Sequence, residues 1–161
     1  MESYFKRAVF DNFNKKVLPN KVLILLGARR VGKTELIKNY LKTVPAETYL
    51  QLNGEDINDA NLLQERSVVN YKRLLANIDL LVIDEAQTIP EIGLILKLIV
   101  DSIEGIKIIA TGSSVFDLNN TLGEPLVGRK NTMYLFPLAQ MEFSTQENYK
   151  QTTENLEERL L

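Results

Sequence analysis

Gly27-Ala28-Arg29-Arg30-Val31-Gly32-Lys33-Thr34 fits the pattern G-x-x-x-x-G-K-[ST], in which a curl of backbone holds a polyphosphate. The residue types follow from the task. Backbone N–H groups converge on an anion only where the chain turns tightly, and Gly27 and Gly32 permit that path. A helix opening near Lys33 adds unpaired N–H groups and the positive end of its dipole. In such a loop Lys33 reaches the β- and γ-phosphates, the Thr34 hydroxyl ligates Mg²⁺, and Glu35 opens the helix behind them. The plainer reading is a glycine-containing turn that only redirects the chain.

A second cluster carries the acid that such chemistry requires. Asp84 ends the apolar run Leu80-Leu81-Val82-Ile83 and is followed at once by Glu85. A carboxylate at the end of a buried strand holds Mg²⁺ indirectly, and a neighbouring carboxylate polarises the attacking water. Alone, the two acids also read as a solvated strand cap; paired with the loop upstream they read as one site. Thr111-Gly112-Ser113-Ser114 closes a later strand and has two readings of equal weight. One is a hydroxyl that contacts the γ-phosphate or orients the water, and the other is a turn built from small residues.

These groups work only if elements bring them to one edge. Lys21–Leu26 reads as a buried parallel strand leading into the loop, and Glu35–Leu41 as a helix with Leu36, Ile37, Tyr40 and Leu41 on one face. Further strands are expected at Thr48–Asn53, Asp79–Asp84, Ile106–Thr111 and Asn131–Phe136. Helical spacing covers residues 4–18, Asn58–Asn77 and Pro90–Ser102, and the segment 137–161 reads as helical and increasingly polar. Strands alternating with helices predict an α/β fold with a mainly parallel sheet, whose carboxyl edge is where ligands bind.

Composition narrows the chemistry. At 161 residues, 45% hydrophobic and 25% charged, the chain is an ordinary length for one domain with a core. It has neither cysteine nor histidine, which excludes disulfides, thiolate metal sites and imidazole bases. Lys and Arg number 19 against 21 Asp and Glu, and the net charge of −2 does not support independent nucleic-acid binding. No signal peptide or membrane span is visible, so a cytoplasmic location is expected.

With Leu126-Val127-Gly128-Arg129 and Phe136-Pro137-Leu138-Ala139-Gln140-Met141-Glu142-Phe143 added, the loop, the Asp84-Glu85-Ala86-Gln87 strand end and Thr111–Ser114 resemble a prokaryotic AAA-type ATPase family. Its core carries an Arg-rich phosphate loop and usually precedes a C-terminal domain. The resemblance covers roughly residues 5–143. It implies an AAA-like three-layer α/β/α fold with a five-stranded, mainly parallel sheet in the order 5-1-4-3-2. The expected division is a core over 1–144 (opening helix 1–20, nucleotide-binding sheet 21–144) and a polar helical tail over 145–161.

It also implies ATP and Mg²⁺ as ligands, with Asp84 and Thr34 on the metal side. Glu85 becomes the catalytic acid, and a hydroxyl of Thr111–Ser114, with Ser113 the one selected, senses the γ-phosphate. Arg129 is either a phosphate contact, in its own subunit or a neighbour's, or a surface ion-pair residue. Arg29 and Arg30 either touch phosphate or brace the loop against Glu55 or Glu85, and bracing is expected for at least one, because two cations aimed at one group repel. The expected function is ATP hydrolysis that drives or switches an attached domain or partner. The alternative is a nucleotide-binding switch module with little turnover, with nucleic acid recruited through a C-terminal domain. No Asn-Lys-x-Asp element supports a GTPase, and no acceptor pocket supports a kinase. The lid and second arginine sensor of complete family members are not found before Leu161, and oligomerisation is left open.

Overall fold

Lys21–Leu26 (β1) places five consecutive apolar residues in the interior, which suits a strand covered on both faces. The computed structural model describes residues 7–113, 125–138, 142, 150 and 151. Before β1 lies a short helix, Phe10–Lys16 (α1). After it come Lys33–Leu41 (α2), Tyr49–Asn53 (β2), Ile57–Gln64 (α3), Val68–Leu74 (α4), Leu80–Asp84 (β3), Ile92–Ser102 (α5), Lys107–Gly112 (β4) and Lys130–Tyr134 (β5).

The five strands form one sheet in the order β2-β3-β4-β1-β5, and every pair is parallel. This is the expected order read from the opposite edge, with all pairs parallel where a mainly parallel sheet was expected. Leu25 lies beside Thr111 and Met133, so the strands on both sides of β1 deliver their carboxyl ends to the edge where β1 delivers its loop.

Alternation along the strands builds two cores. Val22, Ile24 and Leu26 join Leu81, Ile83, Ile108 and Ala110 on one face, under Leu63 of α3, Tyr71 of α4 and the Ile92, Ile95, Leu96 and Ile99 stripe of α5. Leu23 and Leu25 join Leu80, Val82, Ile109 and Met133 on the other, against Phe13 of α1 and Leu36, Ile37 and Leu41 of α2. Each such side chain contributes about 1.5–3 kcal/mol relative to exposure. The result is a three-layer α/β/α sandwich. No helix among the described residues is long and apolar enough to cross a membrane.

Three expectations need correction. The single helix expected over 58–77 is two, because Ser67 stops and restarts the chain. Its hydroxyl accepts from Asn70 N at 3.1 Å, while the Asn70 amide donates to Leu62 O (3.1 Å) and Glu65 O (3.0 Å), satisfying carbonyls that a continuous helix would have used. The helix expected from Pro90 begins at Ile92, since Glu91 adopts a left-handed conformation (φ 52°). Among the described residues the opening helix spans Phe10–Lys16 rather than 4–18; residues 1–6 lie outside them. Of the expected tail over 145–161, only Lys150 and Gln151 are described, and both are helical. β1 has the expected bounds, and those of the other strands differ from expectation by one or two residues.

Candidate functional site

The loop between β1 and α2 is shaped from its own residues. Gly32 takes φ 93° as it caps α2, a conformation a side chain would strain, and Arg30 also has a positive φ of 66°. Lys33 is buried at 6% exposure, yet its ammonium is satisfied. Nζ donates to Gly27 O at 2.7 Å and Ala28 O at 3.0 Å, so the cation lies inside the curl of the loop. Arg29, Arg30, Gly32, Lys33, Thr34, Glu35, Glu55 and Glu85 line a cleft of about 480 Å³ at the carboxyl edge of the sheet.

The acid strand meets the loop there. Thr34 Oγ1 donates to Asp84 Oδ2 at 3.0 Å, which joins the two residues selected for metal binding. Thr111, wholly buried at the end of β4, donates its hydroxyl to the other Asp84 oxygen, Oδ1, and accepts from Glu85 N at 3.1 Å. Asp84 is thereby gripped from β1's helix on one side and from β4 on the other. Glu85 sits at a left-handed position (φ 49°), which turns the chain sharply after the strand. Its Oε2 accepts from Gln87 Nε2 at 2.5 Å, and Gln87 Oε1 is buried with no hydrogen-bond partner among the described residues.

Of the remaining selected residues, Ser113 follows β4 on the same edge and is half-buried. It is Thr111, not Ser113, whose hydroxyl engages the acids. Ser114 lies outside the described residues. Val31 is buried and Ala28 exposed. The Glu35 carboxylate pairs with Lys38 at 3.0 Å on the surface of α2. Arg29 braces outward, with Nη2 3.7 Å from Glu55 Oε1 and both side chains largely exposed.

Arg129 is not brought to this site within its own chain. It precedes β5 at the amino edge of the sheet, where Lys130 pairs with Val22, whereas the loop leaves from Leu26. Four residues of strand, about 13 Å, separate the two ends. Arg129 Nε is bonded to Asp101 Oδ1 at 2.5 Å at the end of α5, and its backbone N–H donates to Leu126 O at 2.9 Å. Leu126 is fully buried, so Leu126–Arg129 is the turn that anchors and launches β5.

Two residues given no role in the sequence reading bear on this edge, Arg7 by bridging three segments and Gln87 by holding the Glu85 carboxylate. Arg7 is buried, with Nε on Glu142 Oε1 (2.9 Å), Nη1 on Val31 O (2.7 Å) and Nη2 on Phe136 O (2.6 Å). Nothing local in the sequence marks Arg7. Gln87 was visible only as the fourth residue of Asp84-Glu85-Ala86-Gln87.

The profile of the family described as "AAA domain" matches residues 19–144. An uncharacterized protein of Methanocaldococcus jannaschii is 26% identical over 136 residues, an alignment that covers 83% of this chain and 30% of that protein. The chain thus spans under a third of that relative's length. The glycine loop on β1, the gripped acid on β3 and the five-stranded parallel sheet agree with the family match, and the chain belongs to the AAA domain family of P-loop proteins.

Proposed function

We propose that the chain binds ATP with Mg²⁺ in the Gly27–Thr34 loop and hydrolyses it, using Glu85 to activate water. The observation that carries this reading is the 3.0 Å bond between Thr34 Oγ1 and Asp84 Oδ2 at the mouth of a loop that already encloses the Lys33 ammonium. A hydroxyl and a carboxylate side by side are hard oxygen donors, the kind Mg²⁺ prefers. The cleft's charges also fit. Arg29, Arg30 and Lys33 face Glu35, Glu55 and Glu85, so the protein alone offers a polyphosphate little net attraction, and a divalent cation supplies the missing positive charge. Thr34 directly and Asp84 through its hydrogen bonds would hold that ion, which when bound neutralises charge developing on the phosphates.

The chain's own residues divide the remaining work. Loop N–H groups and Lys33 hold the phosphates, exchanging the Gly27 and Ala28 carbonyls for ligand oxygens. Thr111 fixes Asp84 and the Glu85 backbone in one orientation. Glu85 takes the proton of the attacking water once its carboxylate leaves the Gln87 amide. We further propose that turnover drives or switches an attached domain or partner, a reading supported by the greater length of the M. jannaschii relative.

Phosphate release from ATP, measured with and without EDTA, tests this together with two variants. Glu85→Gln is expected to lower turnover by about 10²–10⁴-fold while ATP still binds, and Lys33→Ala to abolish binding. Unchanged ATP affinity in Lys33→Ala would sink the phosphate-cradle assignment. ATP binding by the parent without phosphate release would favour a switch module instead.

A further inference from the structure

Arg7 stands outside the phosphate loop yet touches it from below. Its guanidinium spans three segments distant in sequence: Val31 O in the loop, Phe136 O beyond β5, and the Glu142 carboxylate. Glu142 Oε1 also accepts from Ala8 N at 2.9 Å, so the acid holds both the side chain and the backbone that presents it. The arginine and glutamate side chains are only 8% and 6% exposed. A buried pair of this kind is costly to form and persists where its geometry is complete.

The bond to Val31 O has a direct bearing on the cleft. A trans peptide sets the C=O of one residue antiparallel to the N–H of the next. Holding Val31 O toward Arg7 therefore holds the Gly32 N–H on the opposite side, and Gly32 lines the cleft. A Cβ on Gly32 would fall 3.3 Å from Arg7 Nη1, so the guanidinium packs directly beneath this turn. Its planar fork meets all three acceptors together, which a lysine ammonium on a flexible stem does not reproduce.

We propose that Arg7 is a positioning residue for the phosphate loop and that Glu142 holds it in place, so that docking of the chain at residue 142 sets how firmly the loop grips phosphate. Coupling of this sort is reciprocal. Ligand in the loop strengthens the seat of Glu142, and displacement of Glu142 by whatever moves the chain beyond β5 loosens the loop. The proposal takes its ligand from the phosphate-binding reading above, but the packing stands without it.

Arg7→Lys and Glu142→Gln test it in the full chain, at a temperature where circular dichroism shows both folded. Amide hydrogen exchange over residues 28–34 is measured without nucleotide, and the Kd for ATP with Mg²⁺ by calorimetry. In Arg7→Lys, exchange in the loop should quicken by about tenfold and Kd rise by about tenfold, the scale of one lost hydrogen bond to a charged group. Amides of β3 and β4 should not change. Glu142→Gln should show a smaller effect of the same kind, and the double variant should be no weaker than Arg7→Lys. Loop exchange and Kd within about twofold of the parent would overturn the proposal, as would faster exchange spread equally over β3 and β4. If Arg7→Lys does not fold, Glu142→Gln decides by the same criteria. If the parent binds no ATP, the nucleotide reading falls and the exchange measurement alone decides the role of Arg7.

Discussion

Two arginine–carboxylate pairs stand at opposite ends of the sheet, and the shorter contact is the less consequential. At the amino end Arg129 meets Asp101 at 2.5 Å, with side chains 39% and 37% exposed. At the carboxyl end Arg7 meets Glu142 at 2.9 Å, almost fully buried, with two backbone carbonyls on the same guanidinium. Water competes for the first pair and screens it. The second pair is largely withdrawn from water, so removing either member strands the other. Burial and the number of further acceptors, more than N···O distance, decide which ion pair a fold depends on.

Replacing Arg7 with methionine should cost about 3–5 kcal/mol in denaturant unfolding, because Glu142 is left buried without its counter-charge. A smaller loss should follow from Gly54→Ala, also at the carboxyl edge. A Cβ there would lie 2.5 Å from Glu85 O and 2.5 Å from Thr88 Oγ1, and such overpacking costs about 1–3 kcal/mol. Because the strain falls on the Glu85 backbone, phosphate release should slow more than ATP binding weakens.

Tyr71 extends the contrast to an uncharged group. It is fully buried in α4, and its hydroxyl donates to Leu63 O at 2.8 Å. Burial pushes its pKa up to about 12 from 10.0. The folded form therefore keeps its proton where the unfolded chain loses it. That stability is fully present below pH 10 and is lost as pH rises toward 12. Tyr71→Phe should cost about 1 kcal/mol at neutral pH and lessen the alkaline fall in an unfolding titration. At the bottom of the scale, Arg129→Met should cost under about 1 kcal/mol, and less still in high salt. Equal losses for the Arg7 and Arg129 substitutions would break the comparison.

The strands were readable because a parallel strand covered on both faces is a nearly unbroken apolar run, as in Val22–Leu26 and Leu80–Ile83. The loop and Asp84 were readable because their chemistry fixes residue types at set spacings. The break at Ser67 was missed although its cap is local, since apolar positions on either side kept a helical rhythm across it. Arg7 was invisible for a different reason. Its worth depends on Val31, Phe136 and Glu142 arriving around it, and no local pattern encodes that meeting. Arg129 is the opposite case: it lies in a recognisable element, but sequence left open whether it meets phosphate or an ion-pair partner, and that element feeds the amino end of β5, where Arg129 pairs with Asp101.

The position of β1 bears on when the protein becomes competent during synthesis. β1 is made early, yet both strands that flank it, β4 and β5, are made late, with Val22 pairing with Lys130. Until Tyr134 has left the ribosome, the strand that carries the phosphate loop has an open edge, a template for pairing with other chains. Closing it requires contacts distant in sequence, which are slow to form. The nascent chain thus stays open to misassociation until β5 docks, and nucleotide captured by the finished cradle would draw the last step forward.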